Sequence, residues 1–191
     1  MTVKTVAYFE EKGPKNTDET LRLARERALE LGIRDVVVAT SHGGTALKAA
    51  KVFGTEKTNI VAVTLPEGFR GEGWTMTADE RKKLQDKGIK VFTGTLALGG
   101  DVGSAFSEKH GNATINDAVC ETLYRFCQGM KVAVEVVLMA ADAGLIPVDK
   151  EVIAIAGTSK GADTAIVVQP ACPRKFFDLK IKEIVAKPRE A

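Results

Sequence analysis

Two runs of the chain, Asp35-Val-Val-Val-Ala-Thr40 and Asn59-Ile-Val-Ala-Val-Thr64, are apolar at every interior position and do not alternate with polar residues. A strand of that kind has both faces covered, which is the situation of an inner strand in a parallel sheet. Parallel neighbours need crossover connections, usually helices, and the intervening sequence supplies them. Asn16 to Thr20 offers a cap with acids in the first turn, and Leu21, Ala24, Ala28 and Leu31 continue at helical spacing until Gly32. After Gly43 and Gly44 a second helix is expected over Thr45–Phe53.

The same alternation runs on. Val3 to Phe9 reads as a first strand and Ile89 to Thr93 as a fourth. Between Thr64 and Ile89 lie a glycine-bearing loop, Leu65 to Met76, and a capping box, Thr77-Ala-Asp-Glu80, opening a helix that ends by Gly88. A short helix is expected over Val102–Lys109, and another over Ile115–Cys127, closed by Gly129. Lys131 to Gly144 is as apolar as a strand. However, Lys131, Glu135 and Asp142 share one helical face, so the pattern predicts a buried helix. Glu151–Ala156 and Thr164–Gln169 are strands joined by a loop too short for a crossover, hence a hairpin. Ile181 to Ala186 is a last strand, which Pro188 assigns to an edge. The fold class is therefore α/β: three layers, a mostly parallel sheet with helices on both faces and an antiparallel hairpin edge. No linker or repeat divides residues 1–191, so one domain is expected.

Composition removes several function classes. The chain carries 27 basic and 25 acidic side chains with no basic stripe, so no nucleic-acid partner is expected. The longest apolar region, Val132 to Ala141, is interrupted by Glu135 and is shorter than the ~20 residues that span a bilayer. No signal-peptide pattern follows Met1, and the 3 cysteines form no metal spacing. No membrane partner and no metal are expected. Reduced thiols and a cytoplasmic location are.

In an open α/β sheet, ligands bind beyond the carboxyl ends of the strands. Glu10, the Thr40-Ser41-His42-Gly43-Gly44-Thr45 turn, Thr64 and the Thr93-Gly94-Thr95 segment fall there. Two glycines between a buried strand and a helix allow an anion to approach main-chain N–H groups at a positive helix end. A tight turn before a capped helix would use the same residues. A second candidate is Gly157-Thr158-Ser159-Lys160-Gly161, where Lys160 is a point charge suited to phosphate. It lacks the Gly-Lys-Ser/Thr ending of a Walker loop, and a solvated hairpin loop is the alternative.

Val38-Ala-Thr-Ser-His-Gly-Gly-Thr-Ala46 resembles the strand–turn–helix of the pyruvate kinase carboxy-terminal domain. So do Lys131 to Pro147 and Val152 to Ala165. These longer segments are most similar to stand-alone, mainly archaeal pyruvate kinase alpha/beta domain proteins. The resemblance implies a sugar-bisphosphate-type phosphate site on Thr40, Ser41, Gly43, Gly44 and Thr45. His42 stands where the family tends to carry a lysine or an acid. For the stand-alone proteins the resemblance implies flavin mononucleotide (FMN) as ligand, while the kinase's catalytic barrel and its activity are absent.

Other residues invite chemistry less directly. Phe69 and Trp74 either stack on a flavin ring or pack as a lid or oligomer contact. Glu135 is expected to pair with Lys131 four residues earlier, and Asp163 to brace its own loop. The readings that emerge are a flavin-binding protein, a non-catalytic sensor of a phosphorylated metabolite, and an oligomerising module. A homo-oligomer is compatible with all three.

Overall fold

The computed structural model describes Met1 and residues 3–190. Seven strands and six α-helices follow in the order β1 (Ala7–Phe9), α1 (Thr17–Leu31), β2 (Asp35–Ala39), α2 (Gly44–Phe53), β3 (Asn59–Thr64), α3 (Ala78–Gln85), β4 (Lys90–Thr93), α4 (Val102–His110), α5 (Ile115–Tyr124), α6 (Gln128–Asp142), β5 (Val152–Ala156), β6 (Thr164–Gln169) and β7 (Lys180–Pro188). The strands form one sheet in the order β1-β7-β6-β5-β2-β3-β4. Only β6 runs against the rest, pairing antiparallel with β5 and β7. The carboxyl ends of the other strands therefore share one edge with the start of β6.

The strand pattern explains the two cores. Val36, Val38, Ile60, Ala62, Ile153 and Ile155 face one side and pack on Leu21 and Ala24 of α1, Ala46 and Ala49 of α2 and Leu84 of α3. Val37, Val61, Val63, Ala154 and Ala156 face the other side and pack on α6. With Met130 to Ala141 almost entirely buried, α6 is the central helix of its layer. Each of its fully buried large apolar side chains contributes about 1.5–3 kcal/mol. Glu135 is tolerated there because it bonds Lys131 at 2.6 Å and accepts the Leu98 N–H at 2.9 Å.

Some expectations are corrected. The helix expected over Ile115–Cys127 ends at Tyr124, and Gly129 does not close it but lies inside α6, where a Cβ would stand 2.1 Å from the Thr164 hydroxyl. The glycine serves helix-on-strand contact, which a local reading mistakes for a stop. Val3 to Phe9 shrinks to Ala7–Phe9, since only those residues find partners in β7. Finally, β7 is not itself outermost: β1 lies outside it. Pro188 is accommodated because the ladder with β6 ends at Ala186, before the missing N–H would matter.

Candidate functional site

The Thr40–Thr45 turn leaves β2 at the shared carboxyl edge. Thr40 extends the β2–β3 pairing by donating its N–H to Val63 O at 3.0 Å. Gly43 then turns the chain with φ 84°, a conformation that favours glycine, and a Cβ on it would press on Leu84 at 3.2 Å. Its N–H donates to Thr40 Oγ1 at 3.0 Å. The first intrahelical bond of α2 is from Leu47 N to Gly43 O at 2.9 Å. The earlier amides of the helix, those of Gly44, Thr45 and Ala46, have no carbonyl one turn back. Among the described residues no side chain caps them. A Cβ built on Gly44 would meet nothing within 4 Å, so the first residue of the helix is open on its side-chain face, while Thr45 and Ala46 behind it are buried.

The neighbouring helix behaves differently. At the start of α3 the Glu80 N–H donates to Thr77 Oγ1 at 3.2 Å, and the Thr77 N–H donates to Glu80 Oε2 at 2.8 Å. The Thr77 amide, with His42 adding to it, holds the Glu80 carboxyl below the usual range of carboxylates. His42 places Nδ1 3.3 Å from Glu80 Oε2 and Nε2 3.1 Å from Gly73 O. Both ring nitrogens thus face protein acceptors. Gly73 ends the 3-10 turn that carries Phe69 and directly precedes Trp74, and the two rings stack 6.1 Å apart at 14°. The aromatic pair is therefore tied to the α2 turn through His42.

Thr64 is buried and engaged with β4: its hydroxyl donates to Phe92 O at 3.3 Å and meets Thr93 Oγ1. Arg81 of α3 donates to Thr93 Oγ1 and to Val91 O. This cation stands at the same edge, and sequence reading missed it because its hydroxyl partner lies on another element.

The second glycine loop is built on Asp163, which is wholly buried. Asp163 Oδ2 accepts N–H bonds from Gly13 at 2.8 Å and Thr158 at 3.2 Å, and Oδ1 accepts from the Thr164 hydroxyl at 2.9 Å. The amides of Lys160 and Asp163 bond Thr158 O and Ala156 O, and that of Ala162 bonds Thr17 Oγ1. Its glycines are packed against protein. A Cβ at Gly157 would lie 2.8 Å from Ala162 Cα, and one at Gly161 would lie 2.7 Å from Pro14 Cα. Thr158 lines a cavity of about 520 Å³ with Lys12, Tyr124 and Arg125, on the α6 side of the sheet. Ser159 and Lys160 are exposed.

Since β2 pairs with β5, the two glycine turns end adjacent strands. Among the described residues no cluster of His, Cys, Asp and Glu is arranged to hold a metal. Nor is any helix among them long and apolar enough to cross a membrane.

The family model of the pyruvate kinase alpha/beta domain matches residues 18–168, which include both turns and every strand except β1 and β7. The chain belongs to the pyruvate kinase alpha/beta domain family. Solved structures similar to this family member include two of pyruvate kinase from Cryptosporidium parvum. Both are 15% identical with a TM-score of 0.44, and the matches cover 82% and 84% of this chain. A third, of the same organism's pyruvate kinase in complex with ADP, is also 15% identical at a TM-score of 0.44, over 93% of this chain and 25% of that one. The domain thus spans about a quarter of the length of those pyruvate kinases.

Proposed function

We propose that this domain binds FMN, with the phosphate on the Thr40–Thr45 turn. Membership of the pyruvate kinase alpha/beta domain family points to a phosphate-bearing ligand. The observation that carries the reading is the uncapped start of α2: three successive amides with no partner among the described residues, the first of them on an exposed glycine whose side-chain face touches nothing. The hydroxyls of Ser41 and Thr45 stand in the same turn, and Ser159 and Lys160 are exposed at the end of the adjacent strand. Stacked Phe69 and Trp74, tethered beside the turn, provide a face for a planar ring system. Bound flavin would supply redox chemistry, and the protein would supply position and electrostatics.

A second reading, a non-catalytic sensor of a phosphorylated metabolite, uses the same turn. It is favoured by His42, the acid–base group nearest the turn, whose two nitrogens are both bonded to protein. Adding FMN to the purified protein separates the two. Flavin binding predicts a shifted visible spectrum and quenching of Trp74. A protein that ignores FMN but melts higher with sugar phosphates is the sensor. A response to neither ligand rejects both readings.

A further inference from the structure

His42 joins three separate parts of the edge: the α2 turn that carries it, the start of α3 and the aromatic segment. Its two partners are both acceptors, the Glu80 carboxylate and the Gly73 carbonyl. A neutral imidazole has one N–H, and only the doubly protonated ring donates to both. From this geometry we infer that His42 is a pH-operated latch: the imidazolium docks the Phe69–Trp74 segment against the α2 turn, and loss of one proton lets it go.

The direction follows from the partners. When the ring gives up a proton, the remaining N–H stays with the charged carboxylate, the stronger of the two acceptors. Nε2 then turns a lone pair on the Gly73 carbonyl oxygen, and the contact becomes repulsive. The segment is anchored at its end by buried Met76, and Phe69 is half-buried near Gly100. No residue of its 3-10 turn, Glu67–Glu72, is buried, however, and Trp74 is 49% exposed, so the tip around Trp74 depends most on the Gly73 bond.

Other charged groups on the elements around the ring do not take over this role. Arg70 is bonded to Glu67, and Arg81 is bonded to Thr93 and Val91 O. Glu72 and Asp79 are exposed. The Thr77 amide favours the ionised form of Glu80, so the carboxylate stays an acceptor for the ring.

Trp74 is the only tryptophan and His42 one of only 2 histidines, so the latch can be read in the whole, ligand-free protein. Acrylamide quenching of Trp74 is measured from pH 5 to pH 8.5. The expected result is a rise of about twofold or more with pH, through one transition in the interval where imidazoles titrate. His42→Gln should abolish the transition and His110→Gln should keep it, with melting temperatures at pH 7 confirming that both variants fold. A flat wild-type profile, or a transition that survives His42→Gln, overturns the latch.

Regulation of the ligand rests on the reading of the turn as a phosphate site, where the latch would set how closely the aromatic pair covers it. The quenching experiment contains no ligand. Its failure leaves the binding proposal standing, and failure of binding leaves the latch standing.

Discussion

The two glycine turns end neighbouring strands on one edge, and their compositions are alike, yet the fold uses their main-chain amides differently. In the Gly157–Asp163 loop the amides of Thr158, Lys160, Ala162 and Asp163 all bond to protein, and Gly157 and Gly161 are pressed against backbone. In the Thr40–Thr45 turn Gly43 shapes the bend, while the following amides at the start of α2 have no side-chain cap among the described residues and a Cβ on Gly44 would touch nothing. Glycine therefore serves two different purposes here. One loop uses it to fit tightly packed structure. The other uses it, at Gly44, where nothing in the fold requires it. A residue whose lack of a side chain relieves no contact inside the protein is the natural place to look for contact with something outside it.

The largest expected effect lies in the packed loop. Asp163→Ala would leave the buried donors of Gly13 and Thr164 and the part-buried amide of Thr158 without their acceptor, each buried unpaired group costing about 1–3 kcal/mol. A loss of at least about 3 kcal/mol should appear as a lower urea midpoint, and an unchanged midpoint would show that the loop does not depend on this carboxylate. Gly161→Ala comes next. It places a Cβ 2.4 Å from Thr17 Oγ1 on a residue with φ 72°. Overpacking of about 1–3 kcal/mol and left-handed strain of about 1–2 kcal/mol add up to a loss of roughly 2–5 kcal/mol by the same assay.

The smallest effect contrasts the uncapped α2 with the capped α3. Glu80 titrates below its ordinary range because the Thr77 amide, and then His42, favour the carboxylate. A carboxyl depressed by folding adds stability above its unfolded value of 4.5, and that share is lost as pH falls through the folded value. Acid melts from pH 6 to pH 3 should therefore be slightly steeper for wild type than for Glu80→Gln. Parallel profiles would remove the cap from the account.

Much of this architecture was legible in the chain. The runs at Val36–Val38 and Ile60–Val63 are apolar because both faces are covered, and covered faces imply the layers. Lys131 and Glu135 betrayed α6 as a helix because a pair spaced at i, i+4 meets only on a helix. What stayed hidden was set by distant partners. Gly129 looked like a helix stop because Thr164, the reason for its small size, is far along the chain. The place of β7 depended on β1 folding back beside it. At the site, the glycine turn and its edge were legible, but not the partners of His42. Only the folded edge brings Glu80 and Gly73 to its ring. Likewise Asp163 was expected to brace its own loop and does, while its bond from Gly13 joins it to the opposite end of the sequence.

The most direct test of the central claim is Gly44→Leu, read by melting temperature and by FMN titration together. Because a Cβ at Gly44 meets nothing within 4 Å and a helical glycine is itself unfavourable by roughly 0.5–1 kcal/mol, the variant should melt at the wild-type temperature or slightly above it. Its side chain should at the same time weaken binding of the ligand at least tenfold. A variant that binds as wild type does, or that loses binding only because it unfolds, would contradict the claim that the open amides of α2 are the ligand's seat.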